Sequence, residues 1–365
     1  MNTRPTRSAA RRAPADTPDR FASTAPPYRV EDPEEPIDPR TVRSALELAT
    51  RAPSVHNSQP WRWRVGRRTI HLHPDLRRWL PVTDTEGRDI GLSCGAALHH
   101  LTVALGALGL TTRVHRLPNP TEPDHFAAVE LGAGPPADTD LADADLADAD
   151  LADAIVHRRT DRRRYTDWEV PDAFVTELVA RAADHGALLR PVTDPAARRR
   201  LVRAIEEAGR TQEATEGYRT ETALWSGAGT GTDGVPAGNL LADPVGTGDG
   251  TARRFAPGQL DQPADGTDGA LLLVLGTTSD DALSWLRAGE AMSAVLLHAT
   301  RLGLAGCPLS QPLEVPGTRI AVRDEILGGT LVPQLVLRIG WAPSGPPLPA
   351  TPRRPVEDVV ETTAD

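Results

Sequence analysis

The chain has 365 residues and a net charge of −10, and 39% of its residues are hydrophobic. This length is enough for two domains or one double-sized domain, while the acidic balance argues against a general nucleic-acid binder. Cys94 and Cys307 lie among small and apolar residues, which predicts buried, reduced thiols in a cytoplasmic protein. We expect that no stretch of the sequence is long and apolar enough to span a bilayer.

The N-terminal segment, residues 1–35, is rich in Pro, Arg, Ala and Thr and has almost no large apolar residue. A segment of this composition cannot bury enough apolar surface to fold, so we predict that it is disordered. No apolar run follows Arg11-Arg12, and we therefore predict neither a secretory nor a twin-arginine signal.

A helix, a polar turn and a strand open the folded part of the chain. Apolar residues recur at helical spacing after Pro39, and the polar stretch Pro53–Gln59 ends this helix. Apolar residues then alternate with arginines over Trp61–Val65, which is typical of a half-buried strand. Such a turn can present Ser54, Asn57 and Gln59 to a flat polar ligand, although an ordinary capped connection has the same pattern.

The next elements complete a first half, residues 36–136. Periodicity predicts, in order, a strand at Thr69–His73, a long buried helix from Ile90 to Leu108 that ends at Gly109, and strands at Arg113–Leu117 and Phe126–Leu131. His71 and His73 share one face of their strand, but no third ligand lies nearby in the sequence, so we predict no metal site.

An acidic linker, residues 137–154, separates this half from a second, residues 155–344. The linker carries seven Asp and a five-residue repeat whose leucines form no fixed apolar face. The second half is predicted to contain a segment Ile155–Tyr165, a helix from Pro171, a strand at Leu188–Val192, a helix from Pro195 to about Tyr218, a strand at Leu271–Leu275, a helix including Met292–Leu302 and a strand at Pro333–Trp341.

The Gly-, Asp- and Pro-rich segment at about residues 226–268 interrupts the second half and has little periodicity. A connection of that length within a compact domain is usually a lid or a disordered insertion.

The two long helices resemble each other. Cys94–Leu110 aligns with Ala288–Leu304 without a gap, so that Gly95 matches Gly289. A match this short could arise by chance between two buried helices. It is also what two related halves packed about a pseudo-two-fold axis would produce.

The turn APSVHNSQPW, Ala52–Trp61, resembles the signature of the nitroreductase superfamily of FMN proteins. Other motifs resemble its single-chain Acg-like branch, in which two nitroreductase-like halves are fused. The resemblance covers about Pro39 to Val360. It implies an α+β nitroreductase-like fold with an internal pseudo-dimer, a lid at about 226–268, and a C-terminal tail, residues 345–365, that returns to the flavin phosphate.

The resemblance also implies a set of cofactor-binding residues. Arg158–Arg162 resembles the family segment that binds the FMN phosphate and ribityl chain, a role that suits the multiple donors of arginine. On composition alone this run would be a solvated basic face. The implied FMN contacts are Pro53, Ser54, Asn57, Arg158, Thr160, Arg162, Ser310, Gln311, Arg353 and Arg354, and no metal is implied.

Each half retains a different part of the family's binding site, which implies one composite FMN site. The resemblance implies an NAD(P)H-dependent oxidoreductase that reduces a small acceptor, such as a nitroaromatic or a quinone. Flavin N5 would do the chemistry without a catalytic side chain, and the internal dimer would allow a monomer without membrane partners. The alternative is an FMN storage or sequestration protein, because Asp233–Pro236 resembles the lid segment of the Acg-like branch.

Overall fold

A computed structural model describes residues 37–133, 150–227, 231–242, 253, 255, 258–262 and 267–361. The predicted disordered tail, most of the acidic linker and part of the predicted lid lie outside these residues. The α-helices are α1 (Pro39–Ala49), α2 (Arg88–Ala107), α3 (150–157), α4 (Asp172–Asp184), α5 (Pro195–Ala214), α6 (Tyr218–Leu224), α7 (Ala282–Arg301), α8 (Gln311–Glu314) and α9 (Pro316–Glu325). The strands are β1 (Trp61–Val65), β2 (Thr69–Pro74), β3 (Leu110–Arg116), β4 (Ala127–Ala133), β5 (Leu188–Pro191), β6 (Ser226–Gly227), β7 (Val235–Pro236), β8 (Leu271–Thr277), β9 (Ala305–Leu309), β10 (Val332–Gly340) and β11 (Val360–Glu361).

Each half contributes one principal sheet. The first sheet has the order β11-β1-β2-β4-β3, and the second has the order β5-β8-β10-β9. The predicted strands β1 and β2 form an antiparallel hairpin, with Trp63 opposite Leu72. The same Trp63 is paired on its other side with Val360 of the parallel strand β11. The end of the chain therefore returns to the sheet of the first half.

Helices α2 and α7 cross at the two glycines that the sequence alignment matches. A Cβ atom added to Gly95 would lie 2.0 Å from the carbonyl oxygen of Leu286, and one added to Gly289 would lie 2.1 Å from that of Leu92. Only glycine permits so close an approach. Leu92 and Leu286 both lie two residues before the aligned segments begin, so the two contacts are reciprocal, as they are at an interface with two-fold symmetry.

The expectation that no segment is long and apolar enough to span a bilayer was wrong for α2. Among the described residues, α2 meets both criteria, but 83% of its most apolar stretch is buried inside the protein. The helix is apolar almost all round because it lies between the first sheet and α7, where core helices have this composition.

Several element boundaries differ from those predicted. The helix from Pro195 ends at Ala214 and a separate helix follows, because Gly217 takes a left-handed φ of 84° between them. The second half also contains β9 and α9, which were not predicted because they are short or have weak periodicity. Gly109 does take the predicted left-handed conformation after α2, with a φ of 76°.

Candidate functional site

The predicted polar turn between α1 and β1 has an unusual backbone. His56, Asn57 and Gln59 have φ values of 47°, 54° and 52°, in the left-handed region that residues other than glycine rarely adopt. Side chains hold the turn in place: the Ser54 hydroxyl accepts from the Gln59 amide at 2.9 Å, and the Ser93 hydroxyl accepts from the amide of Val55 at 3.3 Å. Strain of this kind is concentrated at functional sites.

The turn forms one wall of a cavity of roughly 950 Å³, a volume that includes its open mouth. Both halves line the cavity, together with the segment 226–268 and the C-terminal tail. The lining residues are Pro53–Asn57, Asp89, Leu92, Ser93, Thr160, Arg162, Val235, Arg253, Phe255, Met292, Cys307–Gln311, Leu335, Thr351 and Arg353.

A cluster of arginines lies at one end of this cavity, in an adjoining pocket lined by Arg51, Arg158, Arg159, Thr160 and Arg353. Arg158 and Arg353 each donate to the carbonyl oxygen of Arg51 at 3.1 Å. Three of their nitrogens, Nε and Nη1 of Arg158 and Nε of Arg353, are buried and have no hydrogen-bond partner among the described residues. The cluster thus offers unused donors.

The electrostatics of the arginine cluster favour the binding of an anion. Burial, followed by the positive charges of Arg159 and Arg51, lowers the pKa of Arg158 to about 10. Burial and the charge of Arg158 lower the pKa of Arg353 to about 9. Buried charges are normally paired, and a ligand with several anionic oxygens would satisfy both the charges and the unused donors.

Phe255, in the described part of the segment 226–268, connects the two halves across the cavity. Its ring makes an edge contact with the His56 ring, with centroids 5.3 Å apart, and the Arg162 guanidinium lies 5.4 Å from its centroid. Both ring nitrogens of His56 are buried without a hydrogen-bond partner in the described residues. Burial and the charge of Arg253 keep the pKa of His56 well below its usual value, so the ring is neutral.

Four polar contacts fix the same segment to the site. The Asn57 side chain donates to the carbonyl of Gly234 at 2.8 Å, and Gln59 donates to the carbonyl of Thr232 at 2.9 Å. Arg78 forms an ion pair with Asp233. Farther along, Arg253 forms an ion pair with Glu314 of α8. The described part of the segment therefore lies against the cavity, as a lid would.

The structure places most of the residues implied by the resemblance around one cavity. Pro53, Ser54, Asn57, Thr160, Arg162, Ser310, Gln311 and Arg353 line it, and Arg158 lines the adjoining pocket. Arg354 is the exception: it lines neither of them. Its amide donates to the Gln59 side chain at 2.9 Å, and its guanidinium lies 3.8 Å from Asp75. Arg354 therefore supports the turn from behind rather than facing the cavity.

Sequence reasoning missed several residues of the cavity. Asp89 and Ser93 come from α2, and Arg253 comes from a segment without periodicity. Ser93 lies within the helix, where its hydroxyl donates to the Asp89 backbone carbonyl at 2.6 Å. Asp89 and Ser93 are four residues apart, so helical periodicity could have indicated that they share one face of α2.

The arrangement has counterparts among known proteins. A family model described as "Nitroreductase family" matches residues 155–341. The chain is 46% identical over 331 residues to a protein of Mycobacterium tuberculosis (strain ATCC 25618 / H37Rv) named "Putative NAD(P)H nitroreductase Rv3131". This match covers 89% of this chain and 92% of that protein. It is 37% identical over 338 residues to "Putative NAD(P)H nitroreductase acg" of the same strain, and this match covers 91% of this chain and 98% of that protein.

Solved structures are more distant. The FMN-dependent nitroreductase NfnB from Mycobacterium smegmatis, solved in complex with NADPH, is 16% identical with a TM-score of 0.39, and the match covers 59% of this chain and 99% of that one. So low a score supports no conclusion by itself. The sequence relatives, in contrast, match this chain over nearly their whole length. The chain therefore belongs to the nitroreductase family of oxidoreductases, as an Acg-like member.

Proposed function

We propose that the chain binds one FMN in the cavity between its halves and uses it to transfer electrons from NAD(P)H to a small acceptor. The unpaired donors of Arg158 and Arg353 carry this proposal. They match the phosphate group, a dianion with several acceptor oxygens. Thr160 lines both the arginine pocket and the main cavity, a position from which its hydroxyl can serve the same end of the cofactor.

The rest of the cavity suits the flavin ring and the ribityl chain. Leu92, Met292 and Leu335 provide apolar walls for a flat aromatic ligand. The unpaired oxygen of the Asn57 side chain and the hydroxyl of Ser310 add polar groups. Because these residues come from both halves, the proposed site is composite and single, and the chain is expected to work as a monomer.

Bound FMN would supply the redox chemistry by accepting a hydride from a nicotinamide and passing electrons to a nitroaromatic or a quinone. The protein would bind and orient the cofactor and its reactants, and it would exclude water from the site. Buried free thiols, Cys94 and Cys307, suit a reducing compartment, and we propose a cytoplasmic location on that ground.

The test is an anaerobic titration of the FMN-loaded protein with NADH or NADPH. We expect about one equivalent of a nicotinamide to bleach the flavin absorbance, since each supplies two electrons, and a quinone to restore it. Flavin that stays oxidised after prolonged incubation with either nicotinamide would contradict the enzymatic role.

Storage or sequestration of FMN is the second candidate, and the lid favours it. Phe255 contacts both His56 and Arg162, while Asn57 is joined to Gly234. A lid fixed on both sides of a cavity can exclude a nicotinamide as well as water. Storage predicts tight FMN binding without bleaching in the same titration.

A further inference from the structure

Glu314 is a buried carboxylate in α8, and the proposed function gives it no role. Its side chain is 1% exposed. One oxygen, Oε1, accepts from the hydroxyl of Ser310 at 2.6 Å and from the guanidinium of Arg253. The other oxygen, Oε2, accepts from the side-chain amide of Gln212 in α5. A buried carboxylate is costly unless it is paired and hydrogen-bonded, and these contacts satisfy both of its oxygens.

Two of these contacts connect Glu314 to the wall of the main cavity. Ser310 lines the cavity, and because its hydroxyl proton is donated to Glu314, its oxygen can only accept from a ligand. The side chain of Gln212 also accepts from that of Gln311 at 3.0 Å, and Gln311 lines the cavity as well. Glu314 therefore orients two side chains that the family resemblance implies as FMN contacts.

The third contact connects Glu314 to the described part of the lid, the segment 226–268. Arg253 of this segment forms the ion pair with Glu314 and donates to the hydroxyl of Tyr218 at 2.9 Å. The side chain of Arg253 is only 7% exposed. Loss of one partner of a buried ion pair is strongly unfavourable, because it leaves the other charge buried and unpaired. The pair is thus a strong attachment of the lid to α8.

We propose that Glu314 is a positioning residue that couples the lid to the flavin contacts. The same carboxylate holds Arg253 and orients Ser310 directly and Gln311 through Gln212. This inference rests on the proposed function, since it needs FMN in the main cavity. It goes beyond that function because it makes attachment of the lid and retention of the cofactor depend on one side chain.

Detachment of Arg253 would leave Glu314 without its cation. Burial raises the pKa of Glu314, and the positive charge of Arg253 opposes this rise. Without Arg253 the pKa would rise further, so a detached lid is accompanied by proton uptake at Glu314. Lower pH should therefore favour the detached lid, because that state binds the additional proton.

Other ionisable groups face Glu314 but do not replace Arg253. They are Tyr218, Arg88 and Asp89, together with Asp84, Glu86, Asp280 and Arg319 across a pocket that Glu314 also lines. Among these groups the two cations already have acidic partners. Arg88 is paired with Asp89, and Arg319 is paired with both Glu86 and Asp280.

The rate of FMN release tests this coupling in the full chain loaded with FMN. After dilution, release is followed by the rise in flavin fluorescence. We expect Arg253→Met and Glu314→Gln each to release FMN at least about tenfold faster than the wild type, since each breaks a buried pair. The double variant should be no faster than the faster single variant, because both substitutions remove one contact.

A matched control is available on α5, where Glu207 forms an exposed ion pair with Arg210. Glu207→Gln makes the same chemical change as Glu314→Gln but removes only a surface contact. It should release FMN at the wild-type rate.

The pH profile separates positioning from a general loosening of the fold. The difference in release rate between Glu314→Gln and the wild type should narrow as the pH falls from about 8 toward 4.5, the ordinary pKa of glutamate. The reason is that protonated Glu314, like glutamine, forms no ion pair with Arg253. A substitution that only loosened the fold would accelerate release by the same factor at every pH.

Amide hydrogen exchange of the flavin-free protein provides a readout that needs no cofactor. The described part of the lid contains backbone hydrogen bonds, such as that from the Gly258 amide to the Leu241 carbonyl at 2.8 Å. Peptides that cover residues 231–242 and 258–262 should exchange faster in both single variants, because their local opening becomes easier. Either variant alone decides the matter if the other fails to fold.

The outcomes separate the two proposals. A wild type that binds no FMN contradicts the proposed function, while the exchange measurement still tests the attachment of the lid. A wild type that binds FMN, with both single variants releasing it at the wild-type rate, contradicts only the positioning role. Additive effects of the two substitutions, a rate ratio that does not change with pH, or unchanged exchange would also overturn that role.

Discussion

The double variant Arg158→Met, Arg353→Met should bind FMN at least about 100-fold more weakly than the wild type. Each substitution removes a charge-assisted contact to the phosphate, worth roughly 1.5–3 kcal/mol, and about 1.4 kcal/mol corresponds to a tenfold change in affinity. Methionine keeps the apolar stem of arginine, so packing is largely preserved. Titration of the flavin-free proteins, followed by quenching of flavin fluorescence, gives the two dissociation constants.

The same substitutions should raise the stability of the flavin-free protein. The two guanidiniums are held close together without an anion, and their lowered pKa values reflect that unfavourable environment. Riboflavin, which has no phosphate, should lose far less affinity than FMN, and Arg181→Met, at an exposed position on α4, should change neither property. Equal weakening of FMN and riboflavin would show that the arginine cluster does not bind the phosphate.

The second large effect is expected from the lid. Phe255→Ala removes the ring between His56 and Arg162, and we expect turnover with NAD(P)H and a nitroaromatic to rise by about tenfold or more. The physical reason is access: a nicotinamide must lie close to the reacting atom of the cofactor, and a lid that covers the cavity slows this approach. Steady-state oxidation of NAD(P)H by the flavin-loaded proteins measures the change.

Flavin content and an unrelated aromatic position provide the controls for this prediction. Trp168 is 71% exposed, so Trp168→Ala should leave turnover unchanged, and Phe255→Ala should retain its flavin. Fast turnover by the intact protein with little change in the variant would mean that the lid is only a mobile gate. A variant that keeps its flavin but still fails to turn over would favour storage.

Local patterns predicted much of the fold. Alternation over Trp61–Val65 identified β1, and helical periodicity identified α2 and α7. Gly95 and Gly289, which the alignment matches, lie at the crossing point of the helices, because a close approach of two backbones requires small residues at that point. The alignment predicted two related halves but not this crossing. These features depend on residues close together in the sequence, or on a repeat that the sequence itself displays.

Contacts between distant segments could not be predicted in this way. The pairing of Val360 with Trp63 joins residues near opposite ends of the chain. A strand of two residues is too short for its sequence to indicate which strand it pairs with. The ion pair between Arg253 and Glu314 likewise depends on the folded path of the lid. Arg354 shows the limit of a motif, since the family pattern locates the tail but not the direction in which each arginine points.

The same distinction between local and long-range features applies to the residues of the candidate site. The motif residues Pro53, Ser54 and Asn57 were identified in the sequence because the turn is contiguous. Asp89 was not, since its position on the cavity wall depends on how α2 packs against the second half. That packing exists only in the folded protein.

The stoichiometry of bound flavin tests the central claim most directly. The protein is loaded with excess FMN, freed of unbound cofactor and denatured, and the released flavin is measured by its absorbance against the protein concentration. A composite site built from the turn of the first half and the arginine cluster of the second predicts one FMN per chain. Two per chain would mean that each half has a complete site, and none would mean that the cavity binds another ligand.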